Sequence, residues 1–486
     1  MQSTRSEVIR NSIWYTLGNI LLKFFSFLLI PLYTCYLSPD QYGEINLALG
    51  FSNVVSCLIM CGLQTGVIRF YTDCNGDKTR IAQMFGSVIT FVIVLSLIII
   101  FLLTLTHNCW IHIVFSSIHF FPIILLAIFI SGAVAIYTVY QEFLKGAHKA
   151  KKSVILSYVY FILLLITNLI TVIWFKWGAS GVLFSTLIVN LLMIGIMLID
   201  LYEGDLLYVG IKVSVIKDML KYSLPLVPHS ISYNISNFFT RVIINSKINT
   251  STLGLYSLAS QFGGIADVVS NSVQSAFQPW LYERMQQVEA GNKEAIQEIN
   301  NLTIKLLWVY GFIYLMIGTW TQEAIEIMSQ KSYYSAWIYV PFLVCAVAIK
   351  SPLYFYQNLY YYHKKLTKYI FIFTVSGCLS SMLLVLLLVP KYGVFGAIWG
   401  DIISVMVRVS LTIWFGKYII NSVYSISKLI YITIASTVWL FITVFPSYFG
   451  LLNQSQNIIY KILCILLYLA LIVKYRSNKN FIKNKT

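Results

Sequence analysis

The chain has 486 residues, 58% of them hydrophobic and only 11% charged, with a mean hydropathy of +0.77. A soluble domain carries roughly 25% charged residues, so the composition excludes a soluble enzyme and identifies an all-α polytopic membrane protein. The net charge of +16 does not indicate nucleic-acid binding, because no basic run in a soluble segment is interleaved with aromatics; it reads as a topology signal plus affinity for anionic headgroups.

Apolar runs long enough to span, roughly 20 residues each, predict fourteen helices. Residues 1–11 are polar, and the apolar run after them is too long for a signal-peptide core, so no cleavable leader is expected. The first six spans are read at 12–37, 43–68, 81–106, 120–144, 154–175 and 179–201. An amphipathic segment follows at 202–221, read as a cytoplasmic linker on the membrane surface. Spans seven to twelve fall at 222–248, 252–276, 302–325, 337–360, 369–390 and 394–416, and the last two at 426–446 and 456–473. Twenty-four Lys and Arg residues lie in the termini and even-numbered loops, against four (Lys176, Lys247, Lys331 and Lys391) in the odd-numbered loops. The positive-inside rule therefore places both termini in the cytoplasm.

The chain repeats itself. A shift of 211 positions lays residues 12–72 over 223–283 without a gap, with "YGEINLALGFSNVV" from Tyr42 over "LGLYSLASQFGGIA" from Leu253. A shift of 215 to 216 pairs "YQEFLKGAHKAKK" from Tyr140 with "YQNLYYYHKKLTK" from Tyr356, then "KWGASG" with "KYGVFG". The offset separates six spans from the next six, an even number, so the repeats are parallel. The expected organisation is an N-terminal lobe at 1–201, the linker at 202–221, a second lobe at 222–416, and the last two spans with a basic tail at 417–486. Two homologous bundles with a cleft between them suit alternating access.

Span one carries Ser12, Thr16, Asn19, Lys23 and Ser26 at spacings of 4, 3, 4 and 3, which is one helical face. Span seven repeats the device with Ser230, Asn234, Asn237 and Arg241. Span eight has a similar stripe of Ser260, Gly264, Asp267, Asn271, Gln274 and Gln278, and span two a sparser one of Asn46, Gly50, Asn53, Cys57 and Gln64. Such stripes cannot face lipid; they face either a partner helix, through interhelical hydrogen bonds, or water. Near the midplane Lys23, Arg241, Lys350 and Arg408 outnumber Asp267 and Asp401, an excess of two positive charges that mutual pairing cannot cancel. Charges within spans commonly line a substrate or ion path, so a hydrated cationic cavity is expected. Pyrophosphate suits it, through charge-assisted and bidentate hydrogen bonds. Arg69, Lys145, Lys305 and Glu142 stand nearer the cytoplasmic ends, where snorkelling to the headgroups also accounts for them. Asp267 and Asp401 are candidates for coupling a proton or sodium gradient, or else counter-ions of a nearby cation.

Cys57 and Cys61 share a helix face, but no other Cys or His stands at ligand spacing, so neither a metal nor another cofactor is expected. The loop "HNCWIHIVFSSIH" has three histidines and no acidic partner, and Glu323 and Glu326 read as an exposed helix end. No catalytic constellation is present, so the chain is not expected to be an enzyme such as a polysaccharide polymerase.

The stretches "NSIWYTLGNILLKFFSFLLIPLYTCYLSPDQYGEINLA", "GLQTGVIRFY" and "KYSLPLVPHSISYNISNFFTRVIINSKINTSTLGLYSLA" resemble the polysaccharide transporters of the multidrug/oligosaccharidyl-lipid/polysaccharide exporter superfamily. Within it the resemblance is to bacterial flippases of O-antigen or capsule repeat units, and it covers about the first 420 residues. It implies a V-shaped pair of six-helix lobes. An undecaprenyl-pyrophosphate-linked oligosaccharide would be turned from the cytoplasmic to the outer leaflet of the inner membrane, with a polysaccharide polymerase and chain-length regulator as partners. Lys23, Arg69 and Arg241 match positions where the family tends to carry cations; Thr240 stands where many members have an acidic residue. A flippase for lipid II fits the same charge, whereas a drug or organic-cation antiporter calls for an acidic cavity.

Overall fold

The computed structural model describes residues 27–363, 366–419 and 423–483, which are almost wholly helical, with no strand among them. In hydrocarbon a backbone must satisfy its own N–H and C=O groups, and a helix does this within one segment. Eleven of the described helices are long and apolar enough to cross a bilayer. Predicted span one is represented by α1 (Phe27–Tyr36); Asn19, Lys23 and Ser26 lie outside the described residues.

The chain divides into two compact units, residues 1–257 and 258–486. The first unit continues with α2 (Pro39–Met60), α3 (Leu63–Asp73), α4 (Lys78–Leu105), α5 (His107–Val114), α6 (Leu125–Gly146), α7 (Ala150–Asn168), α8 (Gly178–Glu203), α9 (Val213–Ser223) and α10 (Val227–Lys247). Helix α2 starts where "SPDQ" dictates. Ser38 accepts from the Gln41 N–H at 3.3 Å, the Gln41 side chain accepts from the Ser38 N–H at 3.2 Å, and Pro39 fills the first turn. Predicted span two proves to be two helices, because Cys61 and Gly62 both take positive φ, 48° and 77°. Helix α6 forms the centre of this unit, packed against α2, α3, α4 and α8, and α10 lies on α2. The linker is docked as well as amphipathic. The Lys212 N–H donates to Ser87 Oγ at 3.0 Å on α4, and Ile216 and Met219 of α9 are buried.

Helix α11 (Thr250–Glu289) runs across the division between units. Helices α10 and α11 have the length of spans but are absent from the eleven apolar ones. They are the two helices of the second repeat whose polar stripes were read from the sequence. The second unit holds α12 (Lys293–Met328), α13 (Val340–Tyr362), α14 (Thr367–Tyr392), α15 (Val394–Ile419), α16 (Ile426–Phe449) and α17 (Gln454–Lys483). Helix α13 packs against α12, α15 and α16, and α14 and α15 form a hairpin.

Glu323 is not the exposed helix end expected. Lys461 of α17 donates to its Oε1 at 2.7 Å, with the lysine side chain 1% exposed and the glutamate 18%. Removing one member of a buried pair strands the other charge, at a cost of about 3–5 kcal/mol. Lys461→Met is therefore expected to lower the melting temperature of the detergent-purified protein, and adding Glu323→Gln to recover most of the loss. Equal melting temperatures for wild type and Lys461→Met would contradict this.

Candidate functional site

In the first unit the site forms where α10 lies on α2. Arg241 Nη1 donates to the backbone carbonyl of Asn46 at 2.9 Å. A carbonyl has two lone pairs, so it can keep a helix bond and accept a second one. Gly50, one turn further along α2, leaves the space: a Cβ there would stand 3.2 Å from Arg241 Nη1 and 3.3 Å from Phe238 Cδ2. Beside it Phe51 stacks on Trp110 at 5.4 Å and meets Phe115 edge-on at 5.4 Å and Phe238 at 5.9 Å. No Asp or Glu among the described residues lies within 4.0 Å of the Arg241 guanidinium. The bond to Asn46 uses one of five N–H donors, so the fork is fixed in place with donors left for an anion.

The rest of the span-seven stripe divides. Asn234, the repeat equivalent of Lys23, donates to Cys57 Sγ of α2 at 3.3 Å, which is interhelical packing. Ser230 bonds its own helix, to the Val227 carbonyl, and Asn237 is exposed. Arg69 bonds Asp73 at 2.7 Å, both about half exposed at the end of α3, and Lys145 bonds Glu142 at 2.6 Å in the same local manner.

In the second unit, Asp267 of α11 is fully engaged. It accepts from Lys350 Nζ at 2.9 Å, from the Tyr354 hydroxyl, and from Asn271 Nδ2 at 3.3 Å. Lys350 also stands 5.1 Å over the Tyr354 ring. One of the four midplane cations is thus neutralised by a specific partner 83 positions away in the chain. Further along α11, Ser270 shares a hydrogen bond with Tyr314 at 2.7 Å, which shares another with Ser351 at 2.8 Å, and Asn358 donates to Gln274 at 2.7 Å. Of the span-eight stripe, Asp267 and Gln274 thus join α11 to its neighbours, whereas Asn271 and Gln278 bond within α11, to Asp267 and Tyr282. On α15, the side chains of Asp401 and Arg408 make no hydrogen bond or ion pair among the described residues, although the Arg408 carbonyl accepts from Thr412 Oγ1 at 2.8 Å. Arg408 Nε is buried without a partner against Gly377 of α14.

Sequence reasoning did not single out Tyr354 as a partner of Asp267, the cradling role of Gly50, or Lys461. Tyr354 carried a signal, since it stands one helical turn from Lys350. Nor did it foresee the cluster in which Asp200 of α8 accepts from Lys152 and, at 2.5 Å, from the Tyr140 hydroxyl.

Several solved structures share this fold. One described as "Lipid II flippase MurJ, inward closed conformation" aligns with a TM-score of 0.71 at 15% identity, covering 96% of this chain and 99% of that one. An inward-facing multidrug resistance MATE family transporter of the MOP superfamily aligns at 0.63 and 16%, covering 84% and 98%. A MOP superfamily transporter from Pyrococcus furiosus, described by the reverse polarity of its binding pocket, aligns at 0.60 and 14%, covering 86% and 96%. At these identities the likeness is one of fold. No curated protein matches the chain. The profile of a family described as polysaccharide biosynthesis protein matches residues 8–285, more than half the chain, from just before the first predicted span into α11. With that match, and with the fold of the MOP transporters, the chain belongs to the polysaccharide biosynthesis protein family.

Proposed function

We propose that the chain is a flippase that carries an undecaprenyl-pyrophosphate-linked oligosaccharide, an O-antigen or capsule repeat unit, from the cytoplasmic to the outer leaflet of the inner membrane, with both of its termini cytoplasmic. The observation that carries this reading is Arg241. It is a guanidinium on α10, the helix read from the sequence as span seven, oriented by the Asn46 carbonyl and without a carboxylate partner among the described residues. A cation at the centre of a spanning helix costs at least about 2.5–3.5 kcal/mol on insertion scales. An anion that arrives and leaves is a reason to keep such a charge unpaired, and a pyrophosphate offers the geometry an Arg fork meets. The family's link to polysaccharide synthesis and the fold shared with a lipid II flippase support a lipid-linked glycan as cargo. Lys23, from the first predicted span, is assigned to the same path, and Arg408 to a second anionic contact. The polyprenyl tail stays in lipid while the head group crosses. A polymerase and a chain-length regulator would use the product.

The test is export in a flippase-null strain that makes the cognate glycan. The chain should restore surface polysaccharide, and without it lipid-linked units should collect on the cytoplasmic face. No restoration with any undecaprenyl-pyrophosphate-linked glycan would refute the assignment.

We assign ion coupling to Asp401 over Asp267. Asp267 is occupied by Lys350, Tyr354 and Asn271, whereas the Asp401 carboxylate has no hydrogen bond or ion pair among the described residues. Asp401→Asn is expected to lower export about tenfold or more and to make the remainder insensitive to collapse of the proton or sodium gradient. Ionophores selective for each ion identify which one is used. Residual export that still falls with the gradient would move the coupling elsewhere.

A further inference from the structure

The loop whose three histidines have no acidic partner folds back against α10 and straddles Arg241. Phe238, Arg241 and Asn245 stand at spacings of 3 and 4, which is one face of α10. Phe115 meets Phe238 with ring centroids 6.3 Å apart, and Ser117 Oγ donates to Asn245 Oδ1 at 3.2 Å. The loop therefore touches α10 on both sides of the guanidinium. Trp110 of α5 is carried to the same place: its indole lies on Phe51, the residue after Gly50, with the ring planes 17° apart, and Phe115 meets it at 6.1 Å.

Phe51 and Phe115 are 8% and 1% exposed and form a fixed backing. Trp110 is partly exposed, and its other face meets no ring among the described residues. Two polar groups beside these rings have no partner among the described residues. Trp110 Nε1 is buried and donates to nothing; Asn245, 3% exposed, accepts from Ser117 and Thr250 through Oδ1 and leaves Nδ2 unpaired. Buried polar groups are nearly always satisfied, so two unpaired ones flanking a cation point to a ligand that supplies acceptors. An indole anchoring a protein in the headgroup belt keeps its N–H wet, whereas this one is closed off from solvent. An aromatic face, a few N–H donors at its edge and a neighbouring cation together suit a sugar ring joined to a phosphate.

Resting on the proposed transport of a pyrophosphate-linked glycan, we propose that Trp110 and Asn245, backed by Phe51, Phe115 and Phe238, form the subsite for the pyranose joined directly to the pyrophosphate. Trp110 stacks on the C–H face of that sugar and its Nε1–H donates to a ring hydroxyl, while Arg241 takes the phosphate next to it. A site that hydrogen-bonds a hydroxyl rejects analogues lacking it far more strongly than an apolar pocket rejects a wrong size. Selection among cargoes therefore falls on the first sugar of the unit.

The test is binding to the full chain purified in detergent. The probes are undecaprenyl pyrophosphate alone and the same lipid carrying one sugar, taken in turn as glucose, galactose, N-acetylglucosamine and N-acetylgalactosamine. Wild type should bind one of the glycosylated lipids about tenfold more tightly than the bare one. Trp110→Ala should bring that ratio close to one, and Trp110→Phe, which keeps a ring on Phe51 but loses the N–H, should retain part of it. A wild type that binds the bare lipid and prefers none of the four sugars would overturn the subsite and leave the flippase assignment standing. So would a Trp110→Ala protein that binds both lipids more weakly with the ratio intact, since Trp110 would then be a packing residue. Failure of wild type to bind any of the probes would refute the flippase assignment, and the subsite with it.

Discussion

Arg241→Ala is expected to reduce glycan export by roughly 10- to 100-fold while leaving the protein as stable as wild type or more so. A hydrogen bond to a charged group contributes about 1.5–3 kcal/mol, and each 1.4 kcal/mol is about a factor of ten, which sets the range. Stability should not fall, because the side chain has no carboxylate partner to strand among the described residues, and the Asn46 carbonyl that loses its bond to Arg241 keeps its place in the helix. Arg241→Lys should fall between the two, keeping the charge but losing the planar fork. Gly50→Val should reproduce the loss without altering any charge, by filling the space in which a Cβ would stand 3.2 Å from Nη1. Export assays paired with thermal unfolding of the purified variants check all of these. A variant that loses stability in step with export would make Arg241 a packing residue.

Lys350 is expected to behave in the opposite way. Lys350→Met leaves Asp267 with Tyr354 and Asn271 alone, in a place where an unpaired carboxylate costs several kcal/mol. Both stability and export should drop, with the stability loss about 3 kcal/mol or more. The double variant Lys350→Met with Asp267→Asn should recover most of both, since it removes the charges together. This rescue separates a structural ion pair from a transport cation: no second substitution should rescue Arg241→Ala. If the double variant folds well but exports nothing, the pair belongs to the transport path and the division of roles between the two units is wrong.

Much of this was visible in the amino-acid order, for physical reasons that differ from element to element. Spans such as α4 and α8 hold long runs that are strongly apolar, and hydrocarbon leaves such a run no other structure. The stripe on α10 was legible because polar groups repeated at helical spacing fall on one face of a helix. What the stripe does was not legible, because the same spacing serves Asn234, which packs against Cys57, and Arg241, which does not meet an acid. The Asp267–Lys350 pair joins residues 83 positions apart, and no periodicity within one helix reports on a partner in another. Lys461 shows the same limit, since a lysine near the end of an apolar run looks like a snorkelling anchor until α12 is seen to bring Glu323 to it.

Arg241 is assigned to the pyrophosphate of the cargo, and binding to the purified protein reads that contact apart from transport. Wild type and Arg241→Ala are titrated in detergent with an undecaprenyl-pyrophosphate-linked oligosaccharide and with the same lipid-linked oligosaccharide carrying a single phosphate. Wild type should prefer the pyrophosphate form, and Arg241→Ala should bind it about tenfold or more weaker while binding the monophosphate form nearly as before. Equal affinities of the two proteins for the pyrophosphate form would remove Arg241 from the binding site.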